Sequence, residues 1–364
     1  MSGFEVRSAC PEDNPALQAL FGIPQPSSGL QMAFERAPDY FASAAVMYQQ
    51  SHLLVVTRRQ DNALAAVFNL GLRRVFLNGS AQSLRYGADM RVAPDFQGGR
   101  VLLYANRATK ALIGDGWYLS VILEDNQRSR SSFEGGRAGL PDYRHVGRIT
   151  TYTVTSSRRP PQAFAPSVRV ATAADIPAMN RFVDAMADFY QFLPCYDFKG
   201  LLNGDPFFAG LQPQDFLLIG EGGALRGIVG LWNQKTLKQT RVVSYSRSLK
   251  MLRPLWNLWS SWTGGLHLPA VGESFDYLSL HSPLTRPDDL PAFSALMHAA
   301  WEETRRRGVR AMTLTLADTD PRQAVMSRFR SLPLHANQYT VAFDNAGQPE
   351  LSGSRIPFYE SGRL

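Results

Sequence analysis

The chain has 364 residues, of which 45% are hydrophobic, so it is long enough to bury the cores of two ordinary domains. Its net charge is +7 without a run of five or six basic residues, and we expect no nucleic-acid partner. With 2 cysteines, no apolar leader and no run of eighteen apolar residues, the sequence predicts a cytoplasmic protein without disulfides or a membrane span.

The first predicted elements, a short strand and a helix, occur twice in the chain. Residues 6–16 read VRSACPEDNPA and residues 168–178 read VRVATAADIPA, so Val, Arg, Ala, Asp, Pro and Ala recur in register. In each copy we expect a strand, then an Asp at the helix N-cap and a Pro in the first turn. A recurrence of this kind indicates two similar units.

Later elements recur in the same order. Apolar hairpins are predicted at 53–68 and 216–231, and each half continues with an amphipathic helix, an apolar strand, a short helix and a final strand. We therefore predict two α/β units at 1–155 and 168–364. The linker between them is predicted at 156–167, where prolines, serines and arginines break any periodicity.

A strand, a pair of glycines and an amphipathic helix follow one another in the first unit. The strand is LRYGADMRV at 84–92, the loop is APDFQGG at 93–99, and the helix begins at Val101 and ends at Gly114. The buried face of this helix is predicted to contain Val101, Ala105, Ala108 and Leu112. A helix start offers N–H donors and partial positive charge, and glycines let the backbone approach a ligand, so this segment can bind a phosphate.

This order of elements resembles the GNAT (GCN5-related N-acetyltransferase) fold, and the whole chain resembles a tandem-GNAT acyltransferase. The resemblance implies two GNAT-like domains, each with a mixed, mostly antiparallel sheet flanked by helices. It also implies that the loop after the fourth strand, with the pattern R/Q-x-x-G-x-G/A, holds the pyrophosphate of acetyl-CoA or another acyl-CoA. Gln97 and Gly98 match the start of that pattern, whereas Arg100 and Leu102 stand where it has small residues.

Two interpretations of this departure compete. In the first, which we favour, Gly99 acts one position early and the Arg100 guanidinium pairs with a phosphate. In the second, the loop has lost CoA binding. The residues that the resemblance implies for cofactor binding are Met90, Arg91, Val92, Gln97, Gly98, Gly99, Arg100, Val101, Leu102, Asn126, Arg130 and Phe133.

The second motif implied by the resemblance is an Asn after the fifth strand, with a Tyr seven residues later that protonates the leaving thiolate. Asn126 matches the Asn, before a short helix predicted at 127–133, but Phe133 replaces the Tyr and cannot donate a proton. Tyr143 is the nearby substitute.

The general base is expected to be a carboxylate on the fourth or fifth strand. Glu124 and Asp89 are the candidates, although carboxylates near strand ends are often solvated or cap helices.

The second half has no comparable loop. Its equivalent segment reads LHSPLTRPDDLPAF, and proline removes the N–H donors that a phosphate would use. We therefore predict a degenerate C-terminal domain that forms a substrate wall or stabilises the first domain. His281 can still reach a shared cleft, or it is a structural hydrogen-bonding residue.

An aromatic insertion is predicted at 247–273, with Trp256, Trp259 and Trp262 at every third residue. A packed helix or hairpin is the favoured interpretation, because rows of tryptophan at helical spacing usually belong to a core. A membrane interface, a pocket for an acyl chain, a protein substrate and a homodimer contact are the alternatives.

The resemblance implies an N-acyltransferase that moves an acyl group, expected to be acetyl, from acyl-CoA to a small-molecule or peptide amine. No metal-type spacing occurs, so no metal is expected, and no P-loop, HExxH or GxSxG motif supports another chemistry. A non-catalytic acyl-CoA-binding or scaffold protein is the alternative, because Phe133 replaces the proton donor.

Overall fold

The computed structural model describes residues 3–24, 29–98, 100–124, 126, 140–156, 167–221, 224–263, 265–343 and 347–364. The strands are β1 (Phe4–Ser8), β2 (Leu30–Glu35), β3 (Leu53–Arg58), β4 (Leu64–Leu77), β5 (Ser80–Val92), β6 (Trp117–Leu123), β7 (Asp142–Thr155), β8 (Val168–Val170), β9 (Tyr190–Gln191), β10 (Leu193–Pro194), β11 (Phe216–Glu221), β12 (Ala224–Trp232), β13 (Gln239–Tyr245), β14 (Leu278–Thr285), β15 (Ala311–Ala317), β16 (Ser331–Ala342) and β17 (Ile356–Pro357). The helices are α1 (Asn14–Phe21), α2 (Tyr40–Ala45), α3 (Val101–Ile113), α4 (Ile176–Met186), α5 (Gly200–Asn203), α6 (Arg247–Thr263), α7 (Leu290–Arg306) and α8 (Gln323–Met326).

The described strands form one large mixed sheet flanked by helices. Its 13 strands include a continuous path in the order β1-β3-β4-β5-β6-β16-β7-β15-β14-β12-β11-β8, and β10 pairs with β4. Within this sheet the pairs β5–β6 and β14–β15 are parallel, and the other neighbours are antiparallel. The predicted class, a mixed and mostly antiparallel α/β fold, is confirmed.

The two halves exchange their last strands at the centre of this sheet. β16, from the second half, pairs with β6 of the first, and β7, from the first half, pairs with β15 of the second. The two exchanged strands also pair with each other along most of their length. The halves therefore share backbone hydrogen bonds, and the boundaries expected at 155 and 168 stay a prediction.

The repeated N-terminal segments form the same local structure in both halves. The Arg7 guanidinium donates to the Asp13 carboxylate at 2.7 Å, and Asp13 also accepts from the backbone N–H of Cys10. Arg169 and Asp175 form the equivalent ion pair at 2.5 Å. The recurring arginine and aspartate therefore form an ion pair in both copies. From the sequence we expected only that the aspartate caps a helix.

Two helices cover equivalent faces of the two half-sheets. α3 packs on β1, β3 and β4 of the first half, and α7 packs on β11, β12 and β14 of the second. In α3 the side chains of Val101 and Ala105 are buried and those of Ala108 and Leu112 are partly buried, which confirms the predicted face. The opposite face of β5, with Leu84 and Tyr86, packs in a core shared with the second half.

Candidate active site

The parallel strands β5 and β6 separate in the middle of the first half-sheet. They pair only from Arg85 to Gly87 on β5 and from Tyr118 to Ser120 on β6. Beyond this point β5 stays paired with β4, and β6 stays paired with β16. A slot therefore opens between residues 88–92 and 121–123. Its two edges are peptide groups, which can hydrogen-bond to a polar chain inserted between them.

A β-bulge lies on the β5 edge of this slot, at Asp89. The register against β4 shifts by one residue there, and Asp89 has a φ of 58°. Asp and Asn adopt this left-handed conformation more readily than other non-glycine residues, because their short side chains bond locally. The bulge turns the Asp89 carboxylate away from regular strand geometry and toward partners on distant elements.

The Asp89 carboxylate is buried and fully engaged with two neighbours. Arg36 donates to it at 3.0 and 3.4 Å, and the Tyr40 hydroxyl donates at 2.8 Å. Burial opposes the charged form of Asp89, but the Arg36 guanidinium and the Tyr40 hydrogen bond hold its pKa below the usual range. A carboxylate with a lowered pKa is a weaker base. Its catalytic role stays a prediction, and these contacts favour a structural role.

The predicted phosphate loop lies at the end of β5, next to the start of α3. Gly98 has a φ of 76°, and Gln97, Gly98 and Arg100 are exposed. Within the described part of the chain the Arg100 guanidinium has no ion-pair or hydrogen-bond partner, so it is available to an anion, whereas the Arg100 carbonyl accepts from the first turn of α3. The first backbone N–H groups of α3, which begins at Val101, point toward this loop.

The side chains between the bulge and the loop differ in their contacts and exposure. Arg91 donates to the Ile23 carbonyl at 3.1 Å and lies 4.6 Å from the Phe21 ring. Its side chain therefore connects β5 to the C-terminal end of α1. Met90 is exposed on the same strand, and Val92 is partly buried against α3. The exposed side chain of Leu102 lies in the first turn of α3, beside the loop.

Glu124 lies directly after the β6 edge of the slot. Arg148 donates to it at 2.6 Å and also to Asp318 at 3.3 Å, and all three side chains are partly exposed. The backbone N–H of Glu124 donates to the His335 carbonyl on β16, which fixes the end of β6. Asp89 therefore lies on one edge of the slot, and Glu124 follows the other.

Tyr143 lies on β7, with its ring 5.8 Å from that of Tyr339. Burial, together with neighbouring Tyr118, raises its pKa well above the ordinary value, which makes it a weaker proton donor. Asn126 forms a turn in which its N–H donates to the Leu123 carbonyl.

Several predicted features lie outside the described residues. They are Gly99, Arg130, Phe133 and the short helix expected at 127–133.

The architecture is similar to those of solved acyltransferases. A GCN5-related N-acetyltransferase from Sphaerobacter thermophilus matches with a TM-score of 0.56 and 15% identity, over 97% of this chain and 98% of that one. Saccharomyces cerevisiae N-myristoyltransferase, solved with bound myristoyl-CoA, matches with a TM-score of 0.60 and 11% identity, over 97% and 83%. The chain has the GNAT fold. No family model and no curated protein sequence matches it.

The slot between β5 and β6 has a structural counterpart in the second half. β14 and β15 pair only at Leu278–Met312 and Ser279–Thr313, and then separate. β14 also carries a bulge at the equivalent position, where Ser282 has a φ of 40°. Counted from the paired residues of each strand, Ser282 occupies the position on β14 that Asp89 occupies on β5.

The second slot is filled by the protein's own side chains. Arg322, paired with Asp320 at 2.6 Å, donates to the Pro283 carbonyl on the β14 edge, and the Tyr190 hydroxyl donates to the Thr285 carbonyl. On the β5 edge of the first slot, the Val92 carbonyl accepts a long hydrogen bond of 3.5 Å from Gln97, in the loop that follows the same strand. Within the described residues, no side chain from another element bridges to the carbonyls of residues 88–91. That the first half binds acyl-CoA stays a prediction.

His281 is buried beside the second bulge, among aromatic rings that include Tyr196 at 4.8 Å. Arg363 donates to its Nε2 atom at 2.9 Å, and its Nδ1 atom lies 2.8 Å from the Ser282 hydroxyl. Burial and the Arg363 charge lower the pKa of His281 well below its usual value, so it is neutral in the folded protein. These contacts favour the structural interpretation of this residue.

We expect His281 to make the protein less stable in acid. In the unfolded chain it takes up a proton below about pH 6.5, which the folded protein does not accept, so stability is retained above that pH and lost below it. Between pH 7.0 and 5.5 the wild type should lose about 1 kcal/mol more than His281→Gln, measured by urea unfolding. Equal losses would mean that His281 is protonated in the folded state.

Sequence reasoning missed the polar residues that surround Asp89 and come from elsewhere in the chain. Arg36 and Tyr40 precede Asp89 by about fifty residues and carry no motif. Lys238 donates to the Gly362 carbonyl at 3.0 Å, and burial beside Arg36 lowers the pKa of its amine well below the usual value. Only the approach of β2 and β13 brings these groups together.

Proposed function

We propose that this protein is an acyl-CoA-dependent N-acyltransferase whose first half binds the acyl-CoA. The observation that carries the proposal is the open slot between β5 and β6, which is followed directly by the exposed loop and N-terminus of α3. The pantetheine arm would lie in the slot and hydrogen-bond to the peptide groups along its edges. The pyrophosphate would accept hydrogen bonds from the N–H groups at the start of α3, near Gly98 and Arg100.

The structural neighbours support acyl-CoA as the co-substrate, since one of them was solved with myristoyl-CoA bound. We propose acetyl as the group transferred here. A cavity of about 30 Å³ borders the paired part of β5 and β6 and is lined by residues that include Leu84, Tyr86 and Leu119. It would hold one or two water molecules, so it would accept a methyl group but not a long chain.

An amine acceptor would enter from the face of the sheet that carries this cavity, because α3 covers the opposite face. A small-molecule or peptide amine fits this route. Among the described residues no group of three or more His, Cys, Asp or Glu side chains is placed to hold a metal ion. The transfer would depend on positioning the thioester carbonyl against the amine and on removing the ammonium proton.

Calorimetric titration with CoA, acetyl-CoA and myristoyl-CoA tests the proposal. We expect acetyl-CoA to bind in the micromolar to millimolar range and myristoyl-CoA to gain little from its chain. No binding of any of the three at millimolar concentration would refute acyl-CoA use. Binding without thiol release from any member of a panel of amines would instead favour the non-catalytic alternative.

We propose Glu124 as the general base, directly or through a water molecule. Glu124→Gln should lower kcat by about 10²-fold or more, because general-base catalysis usually contributes 10² to 10⁴. Its ion pair is partly exposed, so the variant should unfold at nearly the wild-type urea concentration.

Asp318→Asn is the matched control, because Asp318 is the other carboxylate bound to Arg148. We expect it to retain kcat. Equal activity in Glu124→Gln and the wild type would exclude Glu124 as the base.

A further inference from the structure

One face of the helix α6, which contains the tryptophan row, is polar and contacts the segment that follows the helix, residues 266–269. Asn257 exchanges two hydrogen bonds of 2.9 Å with the backbone of Leu268, and the hydroxyl of the buried Ser260 donates to the Leu266 carbonyl. Arg253 donates to the Pro269 carbonyl at 2.8 Å. These three residues recur at spacings of four and three, so they form a single face of the helix.

The opposite face of α6 is apolar and exposed. The exposed fractions of Met251, Leu255 and Trp262 are 78%, 66% and 70%. The outer face is defined by the exposed apolar side chains of Met251, Leu252, Leu255, Leu258, Trp259 and Trp262, and it also contains the exposed Ser248 in the first turn of the helix. These side chains fall within an arc of roughly 120° around the helix. The helix is as predicted, but the expectation that its tryptophans pack in the core is wrong, because the polar face occupies the inner side.

Basic side chains border the outer face of α6. Arg247 and Lys250 are exposed on α6, and the sequence contains no Asp or Glu from residue 247 to 272. Arg330 lies 5.0 Å from the Trp259 ring. An apolar face bordered by basic side chains is complementary to a surface that is apolar inside and negatively charged outside.

We propose that the outer face of α6 binds the surface of an anionic phospholipid bilayer. The leucines, methionine and tryptophans enter the boundary between head groups and acyl chains, and the basic side chains contact the lipid phosphates. The helix lies in the plane of the interface. None of the described helices is long and apolar enough to cross a membrane.

A second copy of the chain is a poorer occupant for this face. In a two-fold symmetric contact the same patch would meet itself, so the contact would contain the basic side chains of both copies and its positive charge would double. The helix has no carboxylate to neutralise them. Anionic lipid supplies that charge.

Co-sedimentation of the full chain with vesicles tests this proposal. We expect binding to vesicles of phosphatidylcholine with phosphatidylglycerol, weaker binding to phosphatidylcholine alone, and a decrease with added salt. The double variant Leu255→Glu/Trp262→Glu should reduce partitioning at least tenfold. Leu202→Glu, which changes a comparably exposed leucine (55%) on α5, should not.

A charge-reversal variant gives a second test that leaves the apolar face intact. Arg247→Glu/Lys250→Glu should remove the preference for phosphatidylglycerol, whereas Arg181→Glu, at an exposed arginine on α4, should retain it. Thermal unfolding verifies that each variant is folded. Failure of the wild type to bind either vesicle overturns the proposal. So does a concentration-dependent dimer in sedimentation that Leu255→Glu/Trp262→Glu abolishes, because α6 would then be a protein interface.

Discussion

Replacing Gly98 with valine is expected to lower the affinity for CoA at least tenfold. Gly98 has a φ of 76°, which costs a residue with a side chain about 1–2 kcal/mol, and more when the side chain is β-branched. The loop would relieve this strain by changing its path. The N–H groups beside the pyrophosphate would then move out of reach, and each hydrogen bond to a charged group contributes about 1.5–3 kcal/mol. Calorimetry with CoA measures the loss.

Gly308→Val is the matched control for this experiment. Gly308 has a φ of 73°, and like Gly98 it has open space where a side chain would begin. It ends α7 in the second half, so the same backbone strain is introduced away from the proposed site. Both variants should lose similar stability, but only Gly98→Val should lose affinity. Wild-type affinity in Gly98→Val would show that the loop does not hold the phosphates.

Replacing Asp89 with asparagine is expected to destabilise the protein by about 3–5 kcal/mol, the usual result of removing one partner from a buried ion pair. Asparagine retains the left-handed conformation of the bulge, so the loss would come from leaving the Arg36 charge buried without its partner. The double variant Arg36→Met/Asp89→Asn should recover a large part of this stability, since it removes the remaining charge. Urea unfolding of the wild type and the variants measures these differences.

The same variants separate a structural from a catalytic role for Asp89. If the carboxylate only supports the bulge, acyl transfer should return with stability in the double variant. If it is the base, kcat should stay low in both variants. Asp61→Asn, which breaks an exposed ion pair with Arg58, is the control and should change stability little.

Local sequence patterns were sufficient for the elements of the first half that surround the slot. Apolar periodicity and a closing glycine predicted α3, because a helix that packs on a sheet needs one continuous apolar face. The recurrence of Val-Arg and Asp-x-Pro predicted equivalent local structure at residues 6–16 and 168–178. Each of these signals depends on residues within a few positions of one another.

The support of the site depends on contacts between distant segments. Arg36 and Asp89 are 53 residues apart, and Arg322 reaches Pro283 across 39 residues. The prolines of LHSPLTRPDDLPAF predicted that the loop after β14 differs from the loop after β5. The residues that fill its slot carried no signal, because an Arg–Asp pair has the same local appearance whether it is buried or exposed.

By itself the sequence determined the order of the elements, their internal repetition and the amphipathic character of the helices, since these follow from propensity and periodicity along the chain. The tertiary structure decided which strands pair at the centre, which slot stays open and which face of α6 is exposed. The exchange of β7 and β16 illustrates the reason. The backbone of either strand could form its hydrogen bonds with any of several partner strands. Only the packing of both halves together selects one pairing.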